Sequence, residues 1–157
     1  MPSEVFDGWF IERITSAGWP AQGARWDALL GGYSFEEWTN FSWKKEELDL
    51  YSLSYSEQSI KIIQGLSEAR FGNINNAYAN IENSASRMQG VYEHIKNTRR
   101  LPKSVILING SQWEIVDGCH RISMYVGWLR HNDLHNEIDR VQSAWVASPS
   151  IPLRHAE

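Results

Sequence analysis

The chain has a single cysteine, Cys119, among its 157 residues. One cysteine excludes an intramolecular disulfide framework and suits a reducing compartment. Long apolar runs are missing as well: none approaches the roughly 20 residues that a membrane helix needs. The N-terminus carries no basic-then-apolar signal pattern, so the expectation is a cytoplasmic protein with no membrane partner. Excess positive charge is also absent. A formal net charge of -4 argues against coating of nucleic acid, while leaving room for a local basic site. No low-complexity linker and no solenoid-type repeat interrupts the chain. The 42% hydrophobic and 22% charged residues are those of a globular protein, long enough for one domain with a real core.

Tryptophan is abundant. Five of the eight, Trp9, Trp19, Trp26, Trp38 and Trp43, lie in the first part. Phe6, Phe10 and Ile14 fall on one face of a helix predicted over 3–17, with Gly18 and Pro20 as its stop. A second helix is expected over 21–30, closed by Gly31-Gly32. Ser34-Phe35-Glu36-Glu37 has the pattern of a capping box before a third, through Trp38 and Phe41. Two readings fit the aromatics: a small ring-on-ring core, or a wall on which bases or substrates stack.

Leu48, Leu50, Leu53 and Tyr55 suggest an extended segment, and Ser56 then caps a helix carrying Ile60, Ile63 and Leu66, broken at Gly72. Ile74, Ile81, Met88 and Ile95 recur every seven residues, with Tyr78, Ala85 and Tyr92 between them. They predict one long amphipathic helix, or two broken near Asn83 to Ser86, packed as core. A coiled coil is disfavoured by Gly90 and the many Asn and Ser. Lys96, Arg99, Arg100 and Lys103 then form a basic run, read either as complement to the helix dipole or as ligand contacts. Pro102 ends the helix.

Val105-Ile106-Leu107-Ile108, Asn109-Gly110 and Trp113-Glu114-Ile115-Val116 read as a hairpin, with Asn-Gly supplying a tight primed turn. Ile122, Tyr125, Val126 and Leu129 follow with the spacing of one helix face. Asp117-Gly118-Cys119-His120-Arg121 therefore lies where a strand ends and a helix begins, a natural seat for an anion. Arg121 adds a fork suited to phosphate. Each residue has a plainer role. Asp117 is the natural N-cap as well as a candidate catalytic or Mg²⁺-linked carboxylate. Gly118 serves the turn or a close approach to phosphate. Cys119 shares the apolar face as packing, yet the helix N-terminus and Arg121 would lower its pKa. His120 and Arg121 lie off that face, toward solvent or ligand. His131 and His135 have metal-compatible i, i+4 spacing but no third ligand nearby, so no metal site is assigned. Val141, Ala144, Trp145 and Val146 predict a last strand, before a tail with Pro149 and Pro152.

At Ile115-Val116-Asp117-Gly118-Cys119-His120-Arg121 the chain resembles the ParB/sulfiredoxin superfamily, whose members carry such a motif between a strand and a helix. The resemblance runs roughly from Glu47 to Ala147 and leaves the part before Trp43 unmatched. Cys119-His120-Arg121 is sulfiredoxin-like; Asp117-Gly118 is like the ParB and kinase branch. The resemblance implies an α+β fold with a small mixed sheet and packed helices, to which the unmatched Trp-rich helical part is added as an N-terminal extension. The expected division is 1–45 for that extension, 46–148 for the nucleotide-binding domain and 149–157 for a tail. It implies a nucleotide-dependent enzyme, first an ATP- or ADP-dependent phosphotransferase (kinase) or ATPase using Mg²⁺ and a small-molecule or protein substrate. Asp117, His120 and Cys119 are the catalytic candidates. Gly118, Cys119, His120 and Arg121 would hold the phosphates, with Arg99, Arg100 and Lys103 behind them. The alternatives are a sulfinic acid reductase using Cys119, and a ParB-like nucleotide switch, DNA-associated module or nuclease.

Overall fold

A computed structural model of the chain describes residues 1–71, 83–131 and 137–150. Four strands form one mixed sheet: β1 (Ser42–Asp49), β2 (Val105–Asn109), β3 (Trp113–Asp117) and β4 (Val141–Ser148), in the spatial order β1-β4-β2-β3. β4 is antiparallel to β1 and parallel to β2, and β2 and β3 form the antiparallel hairpin. The α+β class is as expected.

β2 shows why the sheet is covered on both faces. Its side chains alternate, and all four apolar ones are buried. Val105 and Leu107 enter a core with Ile63, Met88, Ile95 and Ile122, from α5 (Glu57–Phe71), α6 (Ser84–Thr98) and α7 (Cys119–Arg130). Ile106 and Ile108 enter a second core with Trp9, Trp26 and Trp38. That layer is built from α1 (Ser3–Val5), a π-helical stretch (Phe6–Phe10), α2 (Ile11–Ala17), α3 (Ala24–Leu29) and α4 (Phe35–Asn40). The tryptophans are thus mostly core. Trp9 stacks on Trp38 at 5.2 Å between centroids, and both are almost fully buried. Trp19 is the exception, 57% exposed.

Several local expectations hold. Ser34 and Glu37 form the full capping box, and Ser56 Oγ accepts the Ser59 N–H at the start of α5. α6 begins at Ser84, with Asn83 in the left-handed region just before it. Met88 and Ile95 are buried as the heptad required, whereas Ile74, Tyr78, Ile81 and His135 lie outside the described residues.

Others need correction. The boundary at 45/46 falls inside β1, because Ser42 to Asp49 pair continuously with β4. The Trp-rich part is therefore one of the sheet's two covering layers, joined to it through β1. The extended segment expected near Leu48 to Tyr55 ends at Asp49, and only a Tyr55–Trp113 bridge continues it. The hairpin forms without its primed Asn-Gly turn. Asn109 pairs with Trp113, which leaves Gly110, Ser111 and Gln112 as the loop, and neither Asn109 nor Gly110 has positive φ.

Candidate functional site

The motif closes β3 and opens α7 as expected, but its parts are distributed differently. Asp117 is the last residue of β3 and does not cap the helix. The N-cap position belongs to Gly118, at φ 104° and ψ 22°, with no side-chain cap. A β-carbon there would stand 2.6 Å from Val105 Cγ1. Glycine is thus demanded both by the left-handed backbone and by packing on β2. The uncapped first turn leaves its N–H groups without a side-chain acceptor at the mouth of a cleft.

Arg121 is held by the protein itself. Its Nη2 donates to Asp117 Oδ2 at 2.7 Å, and its Nη1 donates to the carbonyls of Lys103 and Ser104, each at 2.9 Å. Both side chains are largely buried, 12% and 20% exposed. This pair ties the first turn of α7 to the strand before it and to the segment entering β2. Arg121 borders the cleft but is already engaged, which corrects the expectation of a fork free to grip an anion.

Cys119 is partly buried. Burial, with the nearby Asp117 charge, pushes its thiol up to about 11, outweighing the lowering by its own backbone N–H and by Arg121. The expectation of a depressed pKa is reversed, and the thiol is protonated at neutral pH. His120 is half-buried. Desolvation, then the Arg87 charge, pull its pKa below the usual value. Its Nε2 lies 3.2 Å from Ser84 Oγ at the start of α6.

The basic run does not converge on the motif. Arg99 pairs with Glu137 at 2.6 Å, and Arg100 pairs with Glu47 at 2.7 Å while donating to the Val141 carbonyl. Lys103 Nζ donates to the Gly8 carbonyl at 2.8 Å, in the π-helical stretch. None of the three lines the cleft. The expected second row of phosphate contacts is not assembled, because these cations already serve carboxylates and carbonyls elsewhere.

The cleft itself measures about 580 Å³. Val116 and the whole motif form its floor, Ser86, Arg87, Gly90, Val91 and His94 of α6 one wall, and Arg13 and Pro102 complete it. It lies at the end of β3, where the two helical layers meet. Among the described residues Arg13 and Arg87 have no ion-pair partner. Arg13 rests its guanidinium over the Trp9 ring, 5.7 Å from the centroid, and its buried Nε has no hydrogen-bond partner. Asp117 is the one carboxylate of the lining, already paired with Arg121.

Arg13, Arg87 and His94 were not singled out from sequence. Arg87 and His94 are seven apart, one residue before the Met88–Ile95 pair, so a polar stripe ran beside the apolar one. Arg13 had no such signal, being far from the motif in the chain. No family model, curated protein or solved structure matches this chain.

Proposed function

We propose that this cleft binds the phosphates of a nucleotide, and that the chain is a nucleotide-dependent phosphotransferase or ATPase of ParB/sulfiredoxin-like design. One observation carries the reading. Two arginines that form no ion pair among the described residues, Arg13 and Arg87, line a cleft whose floor is an uncapped helix N-terminus, and both features favour an anion. The lining supports roles for the motif. His120, whose pKa is lowered by burial and then by Arg87, is neutral near pH 7 and available as a proton acceptor toward a substrate hydroxyl or water. Asp117 acts by positioning Arg121.

Mg²⁺ fits this chain only as the companion of the phosphates. No group of three or more His, Cys, Asp or Glu among the described residues could cage a metal ion. Mg²⁺ commonly relies on one or two carboxylates plus substrate oxygens, and Asp117 is the nearest carboxylate for that purpose. When bound, the ion would neutralise phosphate charge. The sulfinic reductase alternative finds less support, since Cys119 holds its proton at neutral pH. No described helix is long and apolar enough to cross a membrane, and we place the enzyme in the cytoplasm, where nucleotides are abundant.

The test is a thermal-shift panel with ATP, ADP, CTP and GTP, with and without Mg²⁺. A nucleotide at 100 times its Kd adds about 2.7 kcal/mol, or a shift of several degrees. His120→Gln should keep the binding shift and lose turnover. No shift with any nucleotide up to millimolar concentration would sink the proposal.

A further inference from the structure

α6 carries a glycine in its second turn for which the fold offers no reason. Gly90 is helical, and a β-carbon built on it would meet nothing within 4 Å. Glycine weakens a helix interior relative to alanine, and neither a close crossing nor a positive φ requires it here. Yet Gly90 lies in the cleft wall, between Arg87 and His94. On a helix rising 1.5 Å per residue those two are roughly 10 Å apart along the axis. That stretch of wall, where Gly90 presents no side chain, is about as long as a triphosphate group. Across from it stands Arg13, which belongs to the Trp-rich layer, with its guanidinium steadied by Trp9 and its buried Nε unsatisfied.

We propose that Arg13 and Arg87 clamp a polyphosphate chain from the two helical layers, and that Gly90 is kept without a side chain so that the chain lies directly on α6. This rests on the anion-cleft reading and deepens it, because it assigns the ligand class as di- or triphosphate. A single phosphate meets one arginine at a time. A polyphosphate reaches both, and only then are the two layers tied together through the ligand. The Trp-rich layer thereby acquires a binding role beyond covering the sheet.

The experiment is titration calorimetry of the full chain with orthophosphate, pyrophosphate, tripolyphosphate and ATP. Variants are Arg13→Met, which keeps the stem on Trp9, Arg87→Ala, which is exposed, and Gly90→Ala. Affinity should rise along the series from ortho- to tripolyphosphate. ATP binding tighter than tripolyphosphate identifies a nucleotide, and equal binding identifies a free polyphosphate. Each arginine variant should lose about 10-fold or more in tripolyphosphate affinity, as charge-assisted bonds do. Gly90→Ala should weaken binding while raising the melting temperature by up to about 2–4 °C. A wild-type chain that binds none of the four anions overturns both the cleft reading and the clamp. If wild type binds them and either arginine variant binds tripolyphosphate equally well, the clamp alone is wrong and the cleft stands. Unchanged affinity in Gly90→Ala removes the direct seat on α6.

Discussion

The sheet's two faces are covered by opposite means. On one, short helices carry large rings: Trp9, Trp26 and Trp38 are each 1% exposed or less. Phe10 touches Trp26 and Phe35 at 5.3 and 5.0 Å between centroids. On the other, long helices approach closely by carrying little. A β-carbon on Gly127 of α7 would meet the Phe71 ring and, at 2.8 Å, Ser67 Oγ of α5. Short helices cannot sustain themselves by cooperativity, so their stability comes from the area that big side chains bury. Long helices can spend interface positions on small residues and gain backbone proximity. The faces are stitched at Lys103. Its carbonyl accepts from Arg121 of α7, while its Nζ donates to Gly8 on the aromatic side.

The comparison can be broken most severely on the aromatic face. Trp38→Ala empties a fully buried site, removes the stack on Trp9 and leaves the Leu30 carbonyl without its indole donor. The expected loss is about 3–5 kcal/mol, read by urea unfolding; a loss under about 1 kcal/mol would show the ring layer to be an ornament on an independent sheet. Next comes the stitch. Arg121→Ala strands Asp117 and two carbonyls, and should cost about 2–3 kcal/mol by the same assay. A protein of wild-type stability that has lost only ligand affinity would return Arg121 to the role of an anion contact.

Gly127→Ala sharpens the opposite face. Adding one methyl against Phe71 and Ser67 should cost about 1–3 kcal/mol, whereas the same change at Gly90 should stabilise. Equal responses at the two glycines would mean that α5 and α7 can separate freely. The smallest effect is expected at His120. Its folded pKa is depressed, by desolvation and then Arg87, so the unfolded chain binds the proton first. This contribution to stability is full above the unfolded value near 6.5, and shrinks as pH falls through it toward the folded pKa. His120→Gln should flatten the acid-side slope of melting temperature against pH, and an unaltered slope would refute the burial of that ring.

Much was legible from spacing alone. The apolar run of β2, the capping box at Ser34, the cap at Ser56, the start of α6 just after Asn83 and the strand-to-helix turn at Gly118 are local patterns. Backbone sterics and nearby hydrogen bonds enforce such patterns wherever the chain goes. That the Trp-rich part packs as core was one of the two readings its composition offered, and burial of Trp9, Trp26 and Trp38 decided it. What each charged group does was decided by tertiary structure. Arg121, Arg99, Arg100 and Lys103 looked available and are engaged, whereas Arg13 and Arg87 looked ordinary and border the cleft. Burial also reversed the expected direction for Cys119, because desolvation outweighed the helix end and the arginine beside it. A sequence states which residues carry charge and which helices can form. Which charges find partners, and how much water each keeps, depends on groups brought together from distant parts of the chain, and here that is settled where two layers meet at the end of β3.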